Sequence, residues 1–150
     1  MRFSIAAVAL LATAGPASAQ FVGNTLQALM DIRLMVCAAG GGCDNKPMPL
    51  RGLVIYVPNQ RTAYLDGTKA GEVPLGRWIA GEKGARYGFF LAGDRLDFKI
   101  TVAGVVVGLS FRAAGKRCTI AGIAGSTGER AVLVSATPKY CRIVPGRVTS

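Results

Sequence analysis

The chain contains no histidine. Ser-His and Cys-His nucleophilic pairs are therefore excluded, and so are histidine-ligated metals. Acidic residues are scarce too, eight in all against 18 basic ones. A glycosidase-type carboxylate pair would have to come from those eight. The closest in sequence, Asp94 with Asp97 and Glu82 with Glu72 or Asp94, fall on expected turns or on opposite strand faces. The glycine-rich stretches 40–42 and 122–128 lack the G-x-x-x-x-G-K-[ST] and G-x-G-x-x-G patterns, which removes the phosphate-loop readings. No catalytic residue, metal ligand set or cofactor motif is expected.

Long apolar runs are missing as well. The run from Ile5 to Ala12 is too short to span a bilayer. It follows Arg2 and leads through Gly15-Pro16 to Ala17-Ser18-Ala19, the pattern of a secretory signal peptide over residues 1–19. Residues 20–150 then form a single expected domain, periplasmic or secreted, with no transmembrane span.

All four cysteines, Cys37, Cys43, Cys118 and Cys141, belong to that part. Export and an even count predict disulfides. The spacings C-x5-C and C-x22-C do not suit zinc. Pairing nearest neighbours joins Cys37 to Cys43 and Cys118 to Cys141. A flat meander would hold Cys118 and Cys141 two strand spacings apart, beyond disulfide reach. Either the sheet folds over there, or the N-terminal cysteines pair with the C-terminal ones; the nearest-neighbour pairing is the preferred expectation.

The formal net charge is +10. Setting Arg2 aside leaves 17 basic residues against eight acidic, or +9. On an exported protein this predicts an anionic partner, such as lipopolysaccharide, peptidoglycan or an acidic protein, ahead of any specific nucleic acid. The functional expectation is a non-enzymatic binding or interaction module. Two alternatives stand beside it: an envelope hydrolase using paired carboxylates, and a barrel binding a small apolar ligand. An outer-membrane barrel is disfavoured, because the strands read short and aromatic girdles are missing.

The most informative stretch is Tyr87 to Arg112. Leu96, Phe98, Ile100 and Val102 alternate with polar residues, as do Val105, Val107, Leu109 and Phe111. With a tip at Ala103-Gly104, both apolar rows fall on one face, which predicts a half-buried antiparallel hairpin. The same register opposes Arg95 to Arg112, Lys99 to Gly108 and Asp97 to Ser110. Arg95, Lys99 and Arg112 are thus one candidate anion-binding patch. A second is the loop bearing Arg77, Trp78, Lys83, Arg86 and Tyr87, where rings interleave with cations.

Elsewhere, FVGNTLQALMDIRLMVC (21–37) predicts a helix capped by Asn24, although Met30, Ile32, Leu34 and Val36 also alternate as a strand would. Residues 40–49 read as a loop, 50–57 as a buried strand, and Asp66-Gly67 as a hairpin tip. Thr137-Pro138-Lys139 reads as a turn between the strand 131–136 and the segment 140–144, and Pro145-Gly146 as the end of the ordered part. The expected fold is mainly β: an antiparallel sandwich or barrel of about eight to ten short strands with one N-terminal α-helix.

Overall fold

The computed structural model describes residues 20–66, 71–102 and 104–148. The expected signal peptide lies outside the described residues. The strands are β1 (Asn24–Ala38), β2 (Gly41–Val57), β3 (Thr62–Leu65), β4 (Gly71–Pro74), β5 (Ile79–Ala80), β6 (Arg86–Ala92), β7 (Arg95–Val102), β8 (Val105–Ala114), β9 (Arg117–Ile123), β10 (Gly125–Ser126) and β11 (Arg130–Pro145). One 3-10 turn covers Glu82–Gly84. They form one sheet in the order β4-β3-β2-β1-β11-β9-β8-β7-β6-β5, with β10 on β11. The sheet curls into an antiparallel half-barrel. At one end the chain leaving β4 meets β6, where Leu75 bridges Phe89 in parallel and the Gly76 N–H donates to the Phe89 carbonyl at 2.7 Å.

The expected N-terminal helix is not there. Residues 24–38 are the strand β1, paired with β2 on one side and β11 on the other along its length. Leu, Met and Ala favour a helix by only a few tenths of a kcal/mol each. Two hydrogen-bonded ladders and an apolar face outweigh that preference. Leu26, Ala28 and Met30 are buried, and Ile32 and Leu34 continue the same row. The expected loop 40–49 is likewise strand, the first half of β2. Pro47 is tolerated because this half of β2 has β1 as its one described neighbour.

The expected turn at 137–139 is also corrected. Residues 130–145 are one strand, and the break at Leu29/Met30 in its pairing with β1 is a bulge. This settles the disulfides. β11 passes directly beside β9, with Arg142 opposite Arg117. Cys118 and Cys141 therefore face each other and are joined, their Cα atoms 5.0 Å apart. Cys37 and Cys43 are joined at the tip of the β1-β2 hairpin. Both bonds fit an oxidising compartment.

The β7-β8 hairpin has the expected register, with Val102 opposite Val105, Ile100 opposite Val107, Phe98 opposite Leu109 and Leu96 opposite Phe111. Its apolar row faces inward, where Leu96 and Phe111 are fully buried with Phe21, Leu26, Ile55 and Phe89. A smaller cluster, Val105, Val107 and Val132, continues the interior toward the other end. Beyond Pro145 the chain stays anchored: the Thr25 hydroxyl donates to the Gly146 carbonyl at 2.6 Å and accepts from the Val148 N–H at 3.2 Å. Arg147 lies over Tyr64 and Tyr56 and pairs with Asp66 at 2.9 Å. The Asp66 hydrogen bond raises the pKa of Arg147 above its ordinary value. No helix long and apolar enough to cross a membrane occurs among the described residues.

Candidate functional site: a cationic outer face

An inward apolar row obliges the alternate residues of β6 to β9 and β11 to face outward. On β8 this row includes Val106, Arg112 and Ala114, all exposed. Across from Arg112 stand Arg95 on β7 and Thr119 on β9. One step along, Ala114 opposes Arg117, and Arg117 opposes Arg142 of β11. Arg142 in turn opposes Gln27 of β1. Two pairs of directly opposed arginines thus sit diagonally beside each other on one convex surface.

Like charges set opposite one another across a sheet are unfavourable unless something screens them. Asp97 screens the first pair. Its carboxylate lies 3.2 Å from Arg95 Nε, in an ion pair, and accepts the Ser110 hydroxyl at 2.6 Å. Asp97 is buried, and the strands around it hold it there. The second pair has softer support. Arg142 Nε donates to Gln27 Oε1 at 2.8 Å, and its guanidinium lies 4.7 Å from the Tyr140 ring. Arg112 and Arg117 are exposed and pair with no carboxylate among the described residues.

Lys99 extends the patch toward β6. Its ammonium sits 5.2 Å from the Phe90 ring, and Trp78 meets Phe90 edge-on at 5.4 Å. Trp78 is 40% exposed, so its ring borders the outer face and does not anchor the core. Of the eight candidate residues, Arg95, Lys99, Arg112 and Trp78 therefore share one surface. The other four do not join it as a group. Tyr87 packs inward against the core, and Arg77 is exposed in the connection before β5. Lys83 occupies the 3-10 turn with φ 55°, and the Arg86 N–H donates to the Thr101 hydroxyl at 2.9 Å.

Arg117 and Arg142 were not among the residues expected here. Splitting β11 at a supposed turn put Arg142 on a different strand from the one beside β9. A signal was present nonetheless. If Cys118 and Cys141 pair across adjacent antiparallel strands, Arg117 and Arg142 must oppose each other on the reverse face.

This face sets exposed arginines beside exposed Val106, Leu133 and Tyr140, while the interior is apolar. Among the described residues no three His, Cys, Asp or Glu side chains gather as a metal site. Comparison with protein-family models, with curated proteins and with solved structures finds no match to this chain. Fold and face together define a disulfide-bonded antiparallel half-barrel with an arginine-bearing outer surface.

Proposed function

We propose that the protein is an exported, non-enzymatic binding module that docks an anionic envelope polymer or surface on the outer face of β6 to β9 and β11. The observation that carries this reading is the double opposition of Arg95 to Arg112 and of Arg117 to Arg142, with Asp97 as the one carboxylate paired to them among the described residues. A bound polyanion relieves the repulsion that this arrangement builds in. Planar guanidinium groups also suit bidentate contact with phosphate or carboxylate. Trp78 and Phe90 beside Lys99 add ring faces for sugar stacking.

Two of the carboxylates that a hydrolase could use are already engaged, Asp97 between Arg95 and Ser110 and Asp66 by Arg147. The test uses the oxidised protein with immobilised lipopolysaccharide, peptidoglycan and an acidic protein. At least one should bind saturably and lose most of its affinity between about 50 and 500 mM salt. The R112E/R117E variant, with both changes at exposed positions, should bind at least about tenfold more weakly. Wild-type protein that binds none of the three, or a variant that binds equally well, would overturn the reading.

A further inference from the structure

Five large apolar side chains stay exposed among the described residues, and they share one side of the sheet. Met35, Val106, Leu133 and Tyr140 stand on the outward rows of β1, β8 and β11, and Trp78 borders the same face beside Phe90. Along the seam of β1 with β11, Leu29 opposes Tyr140, Arg33 opposes Ser135 and Met35 opposes Leu133. Leu133, 51% exposed, therefore meets Met35 directly, at the end of the seam away from Arg142. Val106 lies across β10 from them: Gly125 of β10 opposes Val132, and a Cβ on it would collide with the Val106 carbonyl. The seam is thus graded from aliphatic at one end, through Tyr140, to Arg142 and Arg117 at the other.

We propose that this outer face docks on an anionic phospholipid bilayer, an inference that rests on the outer-face reading above and names its partner. Met35 and Leu133 enter the acyl boundary, Tyr140 sits at headgroup level, and Arg117 and Arg142 meet lipid phosphates. A hydrated polysaccharide would neutralise the arginines but leave the aliphatic end in water. A second copy of this chain would cover that end, yet it would bring the two copies of Arg33 together beside it, and like charges across an interface are costly. A bilayer with anionic headgroups complements both ends in one contact. Asp31, opposite Thr137, is the carboxylate in this outward row; Arg33 and Arg142 outnumber it, and Arg117 adds a third cation beside them.

The experiment co-sediments the oxidised protein with vesicles of phosphatidylglycerol or of phosphatidylcholine. Phosphatidylglycerol vesicles should bind it and lose most of that binding between about 50 and 500 mM salt. Neutral vesicles should bind at least about tenfold more weakly. M35T/L133T leaves the charge unchanged and keeps strand-favouring side chains at two exposed positions. It should weaken phosphatidylglycerol binding at least about tenfold and leave any binding to peptidoglycan or an acidic protein as it was. Leu133→Trp, which enlarges the apolar contact, should tighten vesicle binding about threefold or more, a gain that misfolding would not mimic. Wild-type protein that ignores the vesicles, M35T/L133T that binds them equally well, or a dimer in solution that M35T/L133T dissociates would each overturn the proposal. Vesicle binding that M35T/L133T removes and R112E/R117E leaves intact would sink the arginine reading alone and keep the bilayer as partner, so the two can fail separately.

Discussion

Asp97 shows most clearly how single residues set the properties of the outer face. It is 5% exposed, accepts the Ser110 hydroxyl and pairs with Arg95, which stands opposite Arg112. Asp97→Asn keeps an acceptor for Ser110 but removes the charge between two arginines. Stability should fall by about 1 to 2 kcal/mol, read from urea unfolding, because a charged hydrogen bond and an ion pair are lost together. Affinity for the anionic polymer should rise, because one competing negative charge has gone. A variant that lost stability and also lost affinity would place Asp97 outside the binding face. Arg95 and Arg112 were legible as a pair because a hairpin with a short tip transmits its register directly. Arg117 and Arg142 were legible only through the Cys118–Cys141 pairing, because their register depends on contacts between strands distant in sequence.

Among the elements, β1 and the passage of β9 beside β11 departed most from expectation. The stretch 24–38 carries helix-favouring residues, yet it is the strand that β2 and β11 both pair with. Its alternation at Met30, Ile32, Leu34 and Val36 was visible, but local propensity could not weigh two ladders that come from residues up to the far end of the chain. The sheet folds tightly enough that Gly122 of β9 lies against the backbone of β11: a Cβ there would collide with the Val134 carbonyl. Gly122→Ala should cost about 3 kcal/mol, since backbone and not a flexible side chain must move. Melting should show a fall in Tm of roughly 6 to 12 °C. Gly128→Ala, with nothing within 4 Å of its added Cβ, is the control and should change stability by less than about 0.5 kcal/mol. Equal effects of the two substitutions would contradict the close approach of β9 to β11.

For the whole molecule, the two disulfides differ in what they close. Cys118–Cys141 spans 23 residues and lies in the core, while Cys37–Cys43 spans six at the exposed end of a hairpin. Loop-closure entropy assigns them about 3.4 and about 2.2 kcal/mol. The Cys118→Ala/Cys141→Ala double variant should therefore unfold at clearly lower urea than the Cys37→Ala/Cys43→Ala variant; the reverse order would show that the hairpin tip, and not the β9-β11 seam, governs stability. Sequence by itself determined the β class, the inward row of the central hairpin and the excess of positive charge, because alternation and composition are local properties. The nearest-neighbour cysteine pairing could be preferred from spacing but not secured. Tertiary structure alone decided that 24–38 is a strand, that β11 is continuous past Pro138, and that the cationic surface includes Arg117 and Arg142. It also opened the apolar cavity between Ile32, Leu34 and Val134 on one side and Phe98 and Ile100 on the other. Each of these depends on which distant strands become neighbours when the sheet curls, and burial of the shared apolar face sets that arrangement.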